Sequence, residues 1–359
     1  MKTACSDMPS ACIGKPDFEF SAQEIDAARK NHRLLSMEIE FSLRCNFRCP
    51  YCYVPEEVFY KQELSPDELR DAVLQAKDLG AQKIIILGGE PTIYPHIRAM
   101  IRFIRENGLV VEMFTNGSGV TADFARELYA RDVRVVLKMN TFRADLQDLL
   151  TGTTGAYDII QTALRNLKAA GYPSATGFLA VSTIICRQNF DELPQLWQWL
   201  RDQGIAPYFE IMTPQSRARE NTWLEVDPLE IKNLFDRIAA IDRERYHNTW
   251  APQPPLVGNK CLRHQFSCVV TSTGEVMPCV GVNLSIGNIR QRKLADILRT
   301  SEVLAQLKDY RHTIKGSCAA CNQADECYGC RGAAFQLTGD YLASDPLCWR
   351  NAGSNKDNL

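Results

Sequence analysis

The 359-residue chain has no apolar run approaching the ~20 residues that a membrane helix needs. It also lacks an excess of either charge: 41 Lys and Arg stand against 43 Asp and Glu, a net of −2. That balance offers no basic surface for a nucleic acid, so neither nucleic acid nor membrane is expected as a partner. The opening Met1-Lys2-Thr3-Ala4-Cys5-Ser6-Asp7 has no continuous apolar core of the signal-peptide kind, and the expected location is the cytoplasm. No repeat of fixed period and no low-complexity tract is present. The length allows one large domain and a smaller one.

Cysteine, by contrast, is abundant. There are 14, and in a chain without an export signal they read as metal ligands rather than disulfides. They cluster at 45–52, 261–279, 318–330 and 348. Cys186 closes an apolar run, 181–185, and is expected to be a small core residue. Cys5 and Cys12 are expected to be free thiols.

The first cluster, Cys45-Asn46-Phe47-Arg48-Cys49-Pro50-Tyr51-Cys52, is Cys-x3-Cys-x2-Cys. Three thiolates in one loop can hold three irons of a cubane, and no fourth cysteine lies nearby to complete it. One iron is left open to an outside ligand, which is what metal chemistry requires. Structural zinc sites use four ligands, commonly in paired Cys-x2-Cys knuckles, and this spacing does not fit them.

The loop sits inside a regular pattern. Met37, Ile39, Phe41 and Leu43 alternate with Glu38, Glu40 and Ser42, a strand with one apolar face. Ser65 caps a helix over 65–79, with Glu68 at the capping-box position. A strand over 83–87 ends at Gly88-Gly89. Helices over 96–107, 121–131, 157–170 and 191–203 then alternate with strands over 110–114, 133–139, 176–185 and 208–212. A capped helix over 21–30 precedes all of this. Six strands alternating with helices predict a parallel sheet with right-handed crossovers. In barrels the chemistry sits at the C-terminal strand ends, where the cysteine loop falls.

The cysteine spacing, the aromatic Tyr51, and Gly88-Gly89-Glu90-Pro91 one βα unit later resemble the radical S-adenosylmethionine (SAM) superfamily. The resemblance implies an α/β fold, a partial (β/α)6 TIM-like barrel over 37–215. It implies that Cys45, Cys49 and Cys52 hold a 4Fe–4S cluster whose open iron is chelated by SAM. Reductive cleavage of SAM would then give a 5′-deoxyadenosyl radical that abstracts hydrogen from a C–H bond. Gly88, Gly89, Glu90 and Pro91 match the motif for the SAM amino group. Glycines there permit close backbone approach, and a glutamate accepts from an ammonium. Thr115 and Asn116 match a family turn, although Asn-Gly is also a common simple turn. Tyr51 matches the aromatic near adenine. Asn140 stands where the family usually has a serine or acid for the ribose, and Thr183 is a further candidate.

If the apolar face of the first strand meets the helices, Glu38, Glu40 and Ser42 point into the barrel. Glu112, Lys138 and Glu210 are expected to join them. Buried charges need partners or a ligand. Glu40, Lys138 and Glu210 are therefore either catalytic and substrate-binding residues or an internal ion pair.

A linker with a helix is expected over 216–258, between an N-terminal segment, 1–36, and a cysteine-rich domain over 259–349, with a tail at 350–359. In the cysteine-rich part, a hairpin is expected around Thr273-Gly274. Cys261-x12-Gly274-x4-Cys279, then Cys318-x2-Cys321-x5-Cys327-x2-Cys330 and Cys348, resemble the SPASM extension of radical SAM enzymes. The usual spacing before the cysteine at 330 is x3. Counting assigns Cys261, Cys268, Cys279 and Cys330 to one auxiliary 4Fe–4S cluster, and Cys318, Cys321, Cys327 and Cys348 to another, making three clusters with the first. The Cys-x2-Cys pairs alone would also allow zinc. Relatives that oxidise a sulfatase residue carry an acid after the cysteine matching Cys279, and here Val280 stands there.

The expected activity is radical modification of a peptide or protein by oxidation or crosslinking, with a donor such as flavodoxin or ferredoxin supplying electrons. Residues 1–33 are too few for an added peptide-recognition domain, which keeps a small polar metabolite open as substrate. A non-catalytic electron-transfer protein is a further alternative. Arg217 and Arg219 are candidates for a substrate carboxylate or phosphate, or are simply solvated.

Overall fold

The computed structural model describes residues 20–55 and 62–351. Cys5 and Cys12, and the tail beyond Asn351, lie outside the described residues. The expected barrel is present. Six strands, β1 (Ser36–Glu40), β2 (Lys83–Leu87), β3 (Val110–Thr115), β4 (Arg134–Lys138), β5 (Leu179–Ile185) and β6 (Ala206–Ile211), lie side by side in chain order. All five pairings among them are parallel.

Alternation along β1 decides which residues meet the helices. Met37, Ile39 and Phe41 are fully buried in the main core, while Glu38 and Glu40 point to the other face. The helix Pro66–Asp78 carries the Ser65–Glu68 capping box, and Ala22–Lys30 carries the same device from Ser21 and Glu24. Cys186 is a buried core residue, as expected.

Two features were not expected. A short helix, Ala144–Thr151, follows β4 and ends at Gly152, whose φ is +59°. The backbone N–H of Arg48 in the cysteine loop donates to the Thr151 carbonyl at 2.9 Å. A Cβ on Gly152 would meet the Arg48 carbonyl oxygen at 2.5 Å, so glycine lets the helix end support the loop.

The second feature concerns the sheet. β7 (Val269–Val270) and β8 (Glu275–Met277) form the expected hairpin, joined by β9 (Gly287–Asn288). β7 also pairs in parallel with β1, setting Glu38 against Val269 and Ile39 against Val270. The sheet therefore runs on from the barrel into the cysteine-rich part, as nine strands among the described residues. Val270, Val276, Leu294 and Ile297 share the barrel's hydrophobic core.

Glu112 does not join Lys138. It lies at the opposite, N-terminal end of the barrel, 3.5 Å from Lys83 Nζ and 2.9 Å from Arg134 Nε. Pairing sets Glu112 beside Arg134 at the start of β4, whereas Lys138 is that strand's last residue. The position of each charge along its strand decides its partner.

Candidate active site

A cavity opens at the C-terminal strand ends, with ≈ 1280 Å³ of empty space including its mouth. Cys45, Cys49, Cys52 and Tyr51 line one side, and Gly88, Gly89, Glu90, Thr115 and Asn116 line another. Lys138 and Glu210 also line it, as do Val280 and Gly281 of the cysteine-rich part. Among the expected residues, Glu40, Pro91, Asn140 and Thr183 do not line it.

The three thiols share this space because several elements pin their loop. The Asn116 side-chain amide donates to Asn46 Oδ1 at 3.0 Å and reaches Cys45 Sγ at 3.8 Å. Arg217 Nη1 donates to the Cys49 carbonyl at 3.3 Å, and Asn221 Nδ2 to that of Pro50 at 3.2 Å. Arg217 is thus a cluster-loop residue, and Arg219 instead donates to the Gln336 carbonyl at 2.8 Å. Burial pushes the Cys49 thiol up to about 12, and burial raises Cys45 and Cys52 as well. Three soft thiol donors around one cavity suit iron–sulfur ligation.

Gly88 and Gly89, on the cavity wall, also press against the backbone that leads into the loop. A Cβ on Gly88 would meet the Ser42 carbonyl oxygen at 2.3 Å, and one on Gly89 the Arg44 carbonyl oxygen at 2.0 Å. The glycines let the turn press against the strand-to-loop segment. Glu90 is buried, and its Oε1 accepts from Thr92 N, Thr92 Oγ1 and Thr115 Oγ1 at 2.9, 2.5 and 2.6 Å. Its Oε2 accepts from Asn116 N at 2.6 Å, which leaves capacity for one more donor from the cavity. Burial nevertheless raises its carboxyl above the usual range. Pro91 opens the short turn behind it.

Tyr51 accepts from Asn140 Nδ2 at 2.8 Å, and Lys138 Nζ lies 5.0 Å from its ring centre. Asn140 is fully buried and its Oδ1 accepts from Ile184 N, so it supports Tyr51 from behind. Thr183 faces away from the cavity and donates to the Met139 carbonyl at 2.6 Å. Strand alternation puts its neighbours Ser182 and Ile184 on the cavity wall instead.

Glu40 lies one layer back. It accepts from Tyr53 Oη at 3.0 Å and from the Ser272 N–H at 3.3 Å, and burial raises its carboxyl to about 7. Burial lowers the Lys138 ammonium, with the Glu210 carboxylate opposing that effect. Tyr53, Tyr208 and Arg263 also line the cavity and were missed. Tyr53 and Tyr208 had a signal, since one follows Cys52 and the other shares a strand face with Glu210. Arg263 had none, because its reach into the barrel depends on how the cysteine-rich part docks.

In that part, Cys318, Cys321, Cys327 and Cys348 line one small recess. Cys261, Cys279 and Cys330 form the other group: charge on Cys261 and Cys279 acts on Cys330. Gly281 and Gly332 touch backbone to backbone, where a Cβ on either would come within 2.9 Å of the other's Cα, and this brings Cys279 and Cys330 together. Cys268 has different surroundings: it shares the face of Val270 in the hydrophobic core, and its charged neighbours are Glu38 and Lys308. Among the described residues, no three His, Cys, Asp or Glu side chains converge to grip a single ion.

Comparison with known proteins bears on these features. The Radical SAM superfamily profile matches residues 39–200, and the SPASM iron–sulfur cluster-binding domain profile matches residues 261–322. The chain belongs to the radical SAM superfamily, with a SPASM domain. It is a radical SAM enzyme that binds SAM and iron–sulfur clusters. It is 25% identical to the AdoMet-dependent heme synthase of Methanosarcina barkeri, over 88% of this chain and 96% of that one. It is 29% identical to the PqqA peptide cyclase of Streptomyces rochei, over 87% and 88%. Streptococcus suis SuiB, solved with its precursor peptide SuiA, superposes with a TM-score of 0.68 at 17% identity, over 90% of this chain and 78% of that one. No helix among the described residues is long and apolar enough to cross a membrane.

Proposed function

We propose that this radical SAM/SPASM enzyme abstracts hydrogen from a carbon of a peptide, leading to oxidation or crosslinking. When bound, the first cluster and SAM supply a one-electron reductive cleavage that yields the hydrogen-abstracting radical. Cys45, Cys49 and Cys52 hold that cluster, and Glu90, Thr115 and Asn116 form the wall that receives the SAM amino group. Tyr51, propped by Asn140, flanks it. Lys138 and Glu210 orient the substrate, and the surrounding apolar wall excludes water. Cys318, Cys321, Cys327 and Cys348 hold one auxiliary cluster. Cys261, Cys279 and Cys330 hold another, with a fourth position that Cys268 does not fill.

One observation carries this reading: a single cavity is lined both by the three thiols and by Val280 and Gly281, directly after Cys279. A substrate lying there borders the radical source and, beside Cys279, an electron-accepting cluster. The relatives named as a peptide cyclase and, at the level of fold, SuiB with its precursor peptide support a peptide. Val280 supplies no acid beside Cys279, which argues against sulfatase maturation.

A second reading is a small polyacidic metabolite. Lys138 and Arg263 both face the cavity, and the relatives include AdoMet-dependent heme synthases. Anaerobic turnover with SAM, read by mass spectrometry, separates the two. A precursor peptide, sought as a short open reading frame rich in Cys or aromatic residues beside the gene, should lose two hydrogens. An unchanged peptide, with turnover of a tetrapyrrole acid, would replace the first reading by the second.

A further inference from the structure

Arg331 directly follows Cys330 and is 1% exposed. Its Nη1 donates to the carbonyls of Ala343 at 2.5 Å and Tyr341 at 3.1 Å. Its Nε and Nη2 are buried and have no hydrogen-bond partner among the described residues. A buried guanidinium in that condition is costly unless an anion stands beside it.

Asp345, also fully buried, feels the Arg331 charge, but its oxygens accept from the backbone N–H groups of Cys330 at 2.8 Å and Leu347 at 2.9 Å. A Cβ built on Gly329 would meet Arg331 Nη2 at 2.8 Å, Asp345 Cβ at 2.8 Å and Cys318 Sγ at 3.3 Å, so the open Nη2, the Asp345 side chain and a cysteine sulfur all crowd around Gly329. On another side stands His264, 2% exposed, whose two ring nitrogens have no partner among the described residues. Its ring packs 5.5 Å from that of Tyr328, and Tyr328 lies against Cys261, Cys279 and Cys327. Burial, then Arg331 and Arg263, push the imidazole down to about 3, so it carries no charge at neutral pH. Arg331 is thus a fixed positive charge among the buried groups between the two cysteine sets.

We propose that Arg331 is the counter-charge of the auxiliary centres, a positioning residue whose open donors face the cysteine-held clusters and raise their reduction potential. The inference rests on the reading that the SPASM domain carries two clusters. Reduction of a thiolate-ligated cluster adds one negative charge, and a fixed cation in a dry interior favours that state. The auxiliary pair then accepts the electron that the substrate radical loses.

The test uses the full chain with Cys45, Cys49 and Cys52 replaced by alanine, so that only auxiliary signals remain. Iron per chain is counted, and midpoint potentials are read by EPR-monitored redox titration. Arg331→Gln should make an auxiliary cluster at least tenfold harder to reduce, ~59 mV for a one-electron couple. Arg331→Lys, which keeps the charge, should shift it less. Asp345→Asn, which removes a neighbouring negative charge, should shift it upward, and it decides the matter if Arg331→Gln holds no iron. Full iron with unchanged potentials in Arg331→Gln, equal shifts in the Gln and Lys variants, or no rise in Asp345→Asn would each overturn the inference. Absence of iron from the Arg331-containing chain would overturn the two-cluster reading itself.

Discussion

Arg263, two residues after Cys261, forms an ion pair with Glu38 on β1 and donates to Tyr208 Oη on β6 at 2.9 Å. One side chain from the SPASM domain thereby spans the first and last barrel strands, which the sheet itself does not join. Arg263→Ala should cost ~3–5 kcal/mol, because it strips a buried carboxylate of its cation. Pairing it with Glu38→Gln should recover much of that loss. A chemical-denaturation double-mutant cycle measures both.

The proposed ligand set is directly countable. Cys268→Ala should leave the iron content of the reconstituted protein unchanged, since Cys268 lies in the hydrophobic core. Cys261→Ala should lower it. Equal losses would restore Cys268 as a ligand.

Glu40 makes stability depend on pH. Its folded carboxyl is raised from 4.5 to about 7 by burial, so the folded chain holds a proton that the unfolded chain releases. The associated stability is complete below pH 4.5 and is lost as pH rises to about 7, a total of ~3 kcal/mol. Glu40→Gln should flatten that part of the profile and be the more stable protein at pH 8. Urea unfolding from pH 5 to 8 reads the slope.

Asp242 should be the most sensitive position in the helix Pro228–Tyr246. Its Oδ1 accepts from Trp197 Nε1 at 2.7 Å, and its Oδ2 from Arg201 Nη2 at 2.8 Å and Trp250 Nε1 at 2.9 Å. Asp242→Ala should cost ~3–5 kcal/mol, leaving Arg201 buried without its carboxylate. Thermal unfolding of the otherwise intact protein checks it.

Much of the barrel was legible because its signals are local. Alternation in β1, the capping box at Ser65 and the Ile-rich β2 each need only a few residues of context. The first cysteine loop was legible for the same reason. What sequence could not supply was anything set by long-range docking. The β1–β7 pairing brings residues more than 200 positions apart into register, and it bears on both the reach of Arg263 and the placement of Cys268 in the hydrophobic core. Thr183 shows the reverse: its strand was found, but a one-residue difference in facing separates Ser182 on the cavity wall from Thr183 in the core.

The most direct measurement is release of 5′-deoxyadenosine and methionine from SAM by the anaerobically reconstituted full chain with dithionite. The wild-type chain should release both, and Cys49→Ala should release neither. Silence from an iron-loaded wild-type protein, or equal release from Cys49→Ala, would contradict the assignment of the Cys45–Cys49–Cys52 loop as the radical-generating centre.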